Sequence, residues 1–107
     1  MYNIVFSPEA INDLEETKAY ITEELCNEQA AVKTVANILK DIRMLSELPE
    51  SAPLLSSVVE FDANYRFLVC GNYVAFYRLE GNEVKIVRIL YGRRNYMQIL
   101  FGESQEQ

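Results

Sequence analysis

Residues 65–100 read YRFLVC, GN, YVAFYRLE, GN, EVKIVRILY, G and RRNYMQIL in succession, and this stretch decides the fold. Gly71-Asn72 and Gly81-Asn82 separate runs rich in Val, Ile, Phe and Tyr, which predicts two tight hairpins and a three-stranded meander. Two-residue loops fix the pairing. Cys70 then faces Tyr73, Phe67 faces Phe76 and Arg66 faces Tyr77; across the second turn Leu79 faces Val84, Phe76 faces Val87 and Ala75 faces Arg88. Opposed residues share a face. Phe67, Val69, Val74, Phe76, Val87 and Ile89 fall on one surface, predicted to be the core. Arg66, Leu68, Cys70, Tyr73, Ala75, Tyr77, Ile86, Arg88 and Leu90 fall on the other, predicted to be the working face. A slip at the second turn would bury Arg88 among the phenylalanines, and is rejected for that reason.

Upstream, Tyr2 to Phe6 is short and β-prone, and Ser7-Pro8 ends it. Ser7 is a helix cap with Pro8 in the first helical position. Ile11, Leu14, Ile21 and Leu25 recur at helical spacing, Cys26-Asn27 interrupts, and Asn27 caps a second helix. That helix carries the stripe Ala31, Val35, Ile38, Leu39, Ile42 and Leu45 and stops before Pro49. So short a connection predicts an antiparallel helix pair laid on the phenylalanine face. Val58 to Phe61 has the makings of a brief extended piece, and residues 93–100 of a short C-terminal helix. The predicted fold is α+β: an N-terminal strand at an edge of the meander, a helix hairpin, the three-stranded antiparallel meander and the C-terminal helix, with helices on one face of the sheet. Residues 1–107 read as a single domain, with 103–107 a flexible tail.

The chain carries 10 basic and 16 acidic residues and no histidine. Histidine-based catalysis and most zinc sites are therefore excluded, and no cofactor or metal is expected. The charge is divided unevenly. Residues 1–61 hold four basic groups against eleven acids, whereas residues 62–102 hold six against three. Glu15, Glu16, Glu23 and Glu24 suit a solvated helix surface, and the cations gather on the sheet and the last helix. Two isolated cysteines make no disulfide framework, which indicates a cytoplasmic protein with reduced thiols. No apolar run is long enough to cross a bilayer and no signal peptide is apparent.

A leading strand with SPEA, a helix hairpin, then YRFLV and VRILYGRRNY resemble the RelE/ParE superfamily of bacterial toxins from type II toxin–antitoxin modules. The resemblance spans nearly the whole chain in element order. Its specific part is Tyr65-Arg66 before an apolar strand and the stretch Arg88 to Arg94. It implies growth inhibition, a role such as plasmid stabilisation, and a protein antitoxin as partner. RelE-type members are endoribonucleases that cleave mRNA in the ribosomal A site. ParE-type members inhibit DNA gyrase.

On the ribonuclease reading, which the sequence favours narrowly, a 2′-hydroxyl attacks the adjacent phosphate and cations must stabilise the developing charge. Arg66 and Arg94 match arginines of the family site. Arg88 adds a third catalytic cation, its backbone roughly 12 Å from that of Arg66 by strand spacing. Arg93, Tyr73, Tyr77 and Tyr96 complete a surface for RNA or another target, the tyrosines by stacking on bases. The departures are clear. Ser57, Val59 and Glu60 stand where RelE-type members often carry lysines, and no tyrosine aligns with the family's catalytic one. Glu47, Glu50 and Glu60 are the available proton acceptors, although surface charge is the simpler reading of each. Arg66 also suits stacking on Tyr77, and Arg88 an ion pair with an acid from the loop. The gyrase reading needs no acid–base pair, and a third reading is a superfamily member that has lost toxicity and persists as an interaction domain.

Overall fold

The computed structural model describes residues 1–54 and 64–92. Strand β1 (Asn3–Phe6) leads into helix α1 (Pro8–Glu24) and helix α2 (Glu28–Arg43), which ends in a single 3-10 turn over Met44–Ser46. Strands β2 (Arg66–Cys70), β3 (Tyr73–Glu80) and β4 (Glu83–Tyr91) follow. The sheet order is β1-β4-β3-β2, with β1 parallel to β4 and the other pairs antiparallel. The first strand therefore takes the edge of the meander, as its sequence position requires. The extended piece at residues 58–61 and the C-terminal helix lie outside the described residues.

Local chemistry sets the helix ends. The Ser7 hydroxyl accepts from the Ala10 amide at 2.9 Å with Pro8 beside it, and Asn27 Oδ1 accepts from the Ala30 amide at 3.0 Å. Each satisfies one of the amides a helix start leaves bare. Between the helices Cys26 takes φ 52°, a left-handed residue that turns the chain back on itself. In the sheet, Gly71 and Gly81 have φ of 62° and 58°. Positive φ at the first turn residue alone is the pattern of a type II′ hairpin, which glycine adopts without strain.

Both turns open the predicted pairings: Arg66 faces Tyr77, Phe67 faces Phe76, and Leu79 faces Val84. The second hairpin then departs from expectation. A bulge at Val87 on β4, opposite the step from Phe76 to Tyr77, leaves that residue unpaired with β3, so Phe76 faces Arg88 and Ala75 faces Ile89. One extra residue in a ladder inverts the side of everything beyond it. The shift rejected at the turn thus occurs midway along the strand. It is tolerated because Arg88 finds a carboxylate rather than entering an apolar core.

The assignment of faces is corrected accordingly. The helices cover Cys70, Ala75, Tyr77, Val84, Ile86 and Ile89, which pack with Ala10, Ile38, Ile42 and Leu45. Most of the predicted working face is therefore the core, and the bulge adds Ile89 to it. Ala10, Ala31 and Ala75 are fully buried, and side chains this small let helix and sheet approach closely. Val69, expected inside, is 61% exposed, while Phe76 is buried without joining the core under the helices. The α2 stripe holds, with Ala31, Ile38 and Ile42 buried. The α1 stripe holds in half: Ile21 is buried and Leu14 packs against the core, but Ile11 and Leu25 face solvent and the other buried positions are Ala10, Asp13 and Thr17.

Candidate functional site

Where β1 stops, α1 takes over the free edge of β4. The Ser7 amide donates to the Ile86 carbonyl at 2.9 Å, and its hydroxyl to the Val87 carbonyl at 2.7 Å. One helical turn further, Asp13 is 5% exposed. Its carboxylate accepts the Ile89 amide at 2.9 Å and both Nε and Nη2 of Arg88 at 2.8 Å. This is a bidentate pair with a third hydrogen bond on the same carboxylate, the geometry in which a buried charge is tolerated. The Asp13 hydrogen bond, with its charge, raises the Arg88 guanidinium still further above its ordinary value, against the opposing effect of burial. Arg88 is committed to holding α1 on the sheet.

Arg66 is engaged at the other side of the sheet. Its Nη1 donates to the Ala52 carbonyl at 2.7 Å and the Glu50 carbonyl at 3.4 Å. Beside it the Tyr77 hydroxyl donates to the Pro49 carbonyl at 2.7 Å, and the Phe67 amide to the Pro53 carbonyl at 3.1 Å. Leu54 forms an isolated bridge to Arg66. Together these fasten residues 49–54 across β2 and β3. Tyr77 has no exposed surface, so it does not stack on a base; burial pushes its phenol above the usual value, opposed by an Ala52 main-chain hydrogen bond and the Arg66 charge.

The structure does not bring Arg66 and Arg88 onto one phosphate. Arg66 stands in the Tyr77 row and Arg88 in the Phe76 row, and adjacent rows point to opposite sides of a pleated sheet. Tyr73 is half-buried beside α1, its phenol raised chiefly by burial and moderated by a hydrogen bond with Thr17. Its ring meets Tyr91 edge-on with centroids 5.6 Å apart. Arg78 and Lys85 share Glu80, at 2.7 and 3.4 Å, and Arg78 also lies 5.7 Å over the Tyr65 ring. Arg93, Arg94, Tyr96 and Glu60 lie outside the described residues. Sequence reasoning missed Asp13, the one acid on the buried stripe of α1. An acid at an i, i+4 core position needs a buried partner, and that was the available signal.

Among the described residues, no cluster of His, Cys, Asp and Glu could hold a metal ion, and no helix is long and apolar enough to cross a membrane.

A two-helix layer on a β1-β4-β3-β2 sheet is the architecture of RelE/ParE-type toxins, and solved structures bear this out. A chromosomal ParDE toxin–antitoxin system from P. aeruginosa superposes with a TM-score of 0.72 at 22% identity, over 85% of this chain and 96% of that one. A YafQ variant from E. coli gives 0.53 at 16% identity, covering 95% and 100%. The RelB-RelE antitoxin-toxin complex from Methanococcus jannaschii gives 0.52 at 18%, covering 91% and 98%. No curated protein sequence matches significantly. The family model for the ParE toxin of the type II toxin–antitoxin system parDE matches residues 4–96. The chain belongs to that family.

Proposed function

We propose that this type II toxin arrests growth in the cytoplasm by binding its target, as a DNA gyrase inhibitor of the ParE kind, and that an antitoxin polypeptide neutralises it. One observation carries the choice over mRNA cleavage: the cations that a phosphoryl-transfer site would need on the sheet are already bonded within the fold. Arg88 is paired with Asp13, and Arg78 and Lys85 share Glu80. The chain has no histidine to serve as a base tuned near neutral pH. A binding toxin requires neither. The ParE family match favours the same reading.

The ribonuclease reading keeps one support. Arg66 is held by neutral carbonyls, so its charge remains available to an anionic target. Purified protein separates the two. Gyrase inhibition predicts loss of DNA supercoiling and accumulation of broken DNA with ribosome-bound mRNA intact. Cleaved mRNA on ribosomes with normal supercoiling would overturn the proposal.

A further inference from the structure

The helix pair turns charge of both signs to solvent on the side away from the sheet. Its buried positions are Ala10, Asp13, Thr17 and Ile21 on α1 and Ala31, Ile38 and Ile42 on α2. On the opposite side of each helix runs an exposed row: Asn12, Glu16, Ala19 and Glu23 on α1, and Gln29, Lys33, Ala36 and Lys40 on α2. Both rows step by four, three and four residues, the spacing of one helix face. Each α1 position also stands as far before Cys26 as its α2 counterpart stands after it. The antiparallel hairpin therefore brings Asn12 level with Lys40, Glu16 with Ala36, Ala19 with Lys33 and Glu23 with Gln29. One row is acidic and the other basic, each with a single alanine. Among the described residues, none of Glu16, Glu23, Lys33 and Lys40 forms an ion pair. Nucleic acid does not fit this face, because the carboxylates lie one interhelix spacing, about 10 Å, from the lysines, within a screening length. A surface that carries both signs fits it.

We infer that this face pairs with the same face of a second copy of the chain. A two-fold axis parallel to the helices lays α1 of each protomer antiparallel on α2 of the other and keeps every level. Glu16 then stands over the partner's Ala36, between the partner's Lys33 and the partner's Lys40, one helical turn to either side. Lys33 stands over the partner's Ala19, between the partner's Glu16 and the partner's Glu23. Each alanine leaves the room that the opposing charged side chain needs, and the two-fold repeats every contact. The rows extend about 17 Å at 1.5 Å per residue. So small and exposed a patch makes the dimer weak, reversible and sensitive to salt. The inference goes beyond the inhibitor reading and does not depend on it.

Sedimentation of the full chain by itself, over a range of concentrations in about 50 mM salt, should show monomer passing into dimer, and about 500 mM salt should weaken the association about tenfold or more. Lys33→Glu/Lys40→Glu and Glu16→Lys/Glu23→Lys should each remain monomeric, since like charges then face each other. Mixed in equal amounts the two should associate again, because the first presents acids in both rows and the second presents bases in both. Lys18→Glu, an exposed change on α1 outside the row, should leave the dimer Kd within about twofold, the range of an energetically neutral position. A parent that is monomeric under every condition overturns the inference, as does a dimer that both double variants retain, or a mixture of the two that stays monomeric. Should a double variant unfold by circular dichroism, the single substitutions Lys33→Glu and Glu16→Lys, mixed in the same way, decide. An antitoxin whose affinity falls in both double variants, while the parent never dimerises, assigns the face to that partner and overturns the inference.

Discussion

Arg66 and Arg88 belong to the same sheet and resemble each other in sequence, each among apolar strand residues, yet the fold uses them differently. Arg88 meets a buried carboxylate, and the pair is neutral. Arg66 meets two main-chain carbonyls, which hold the guanidinium in place without cancelling its charge. The first is a seam between α1 and β4, the second a clasp on residues 49–54. A seam of opposite charges is costly to halve, because each half is stranded in a poorly solvated place. A clasp of carbonyls costs less to remove but takes away a fixed positive charge. Stability should therefore be concentrated at Arg88 and target binding at Arg66.

The largest effect is expected at the seam. Asp13→Leu strands the Arg88 guanidinium and leaves the Ile89 amide unpaired. The cost should be about 3 kcal/mol, the low end for a broken buried pair because Arg88 keeps some solvent contact. Urea unfolding measures it. Adding Arg88→Met should recover much of that loss, because two apolar groups satisfy each other. Recovery of none would mean that Asp13 acts chiefly through the Ile89 amide.

At the clasp, Arg66→Ala should cost about 1–2 kcal/mol, the worth of its hydrogen bonds to neutral acceptors, and should abolish growth arrest in a protein that still folds. Equal toxicity at equal expression would remove Arg66 from the target surface. A loss of stability exceeding that of Asp13→Leu would reverse the comparison between the two arginines.

The fold was readable where the determinants are local. Ser7-Pro8, Asn27, Gly71-Asn72 and Gly81-Asn82 each fix a cap or turn within a few residues, and all of them act as their chemistry predicts. The face of the sheet was not readable, because Val74 to Tyr77 is apolar at every position and alternation cannot say which side is inside. The bulge escaped for a different reason. Nothing near Val87 announces it, and it depends on Asp13, 75 residues away from Arg88. Of the candidate site, Arg66 was found at its correct pairing with Tyr77. That its guanidinium would be held by carbonyls of 50–52 was hidden, since a main-chain acceptor leaves no mark on the sequence.

The smallest effect separates clasp from seam by pH. Tyr77→Phe deletes the hydrogen bond to the Pro49 carbonyl and should cost about 1 kcal/mol at neutral pH. Burial holds the Tyr77 phenol protonated beyond its ordinary 10.0. The stability it contributes is therefore complete below pH 10 and lost as pH climbs through the raised value. A tyrosinate cannot donate to a carbonyl, so the clasp weakens in that range. The seam does not, because the hydrogen bond to Asp13 pushes the already strongly basic Arg88 guanidinium further up and it stays charged. Urea midpoints of parent and Tyr77→Phe should converge as pH rises from 8 towards 11. The thiol of Cys70 and the phenol of Tyr73 add alkaline losses of the same sign, but both proteins carry them and they cancel in the difference. Repeated in an Asp13→Leu background, the convergence should be unchanged, since the two regions lie on different strands and share no partner. A gap that stays constant with pH would show that Tyr77 acts by packing alone, and the clasp would then rest on Arg66.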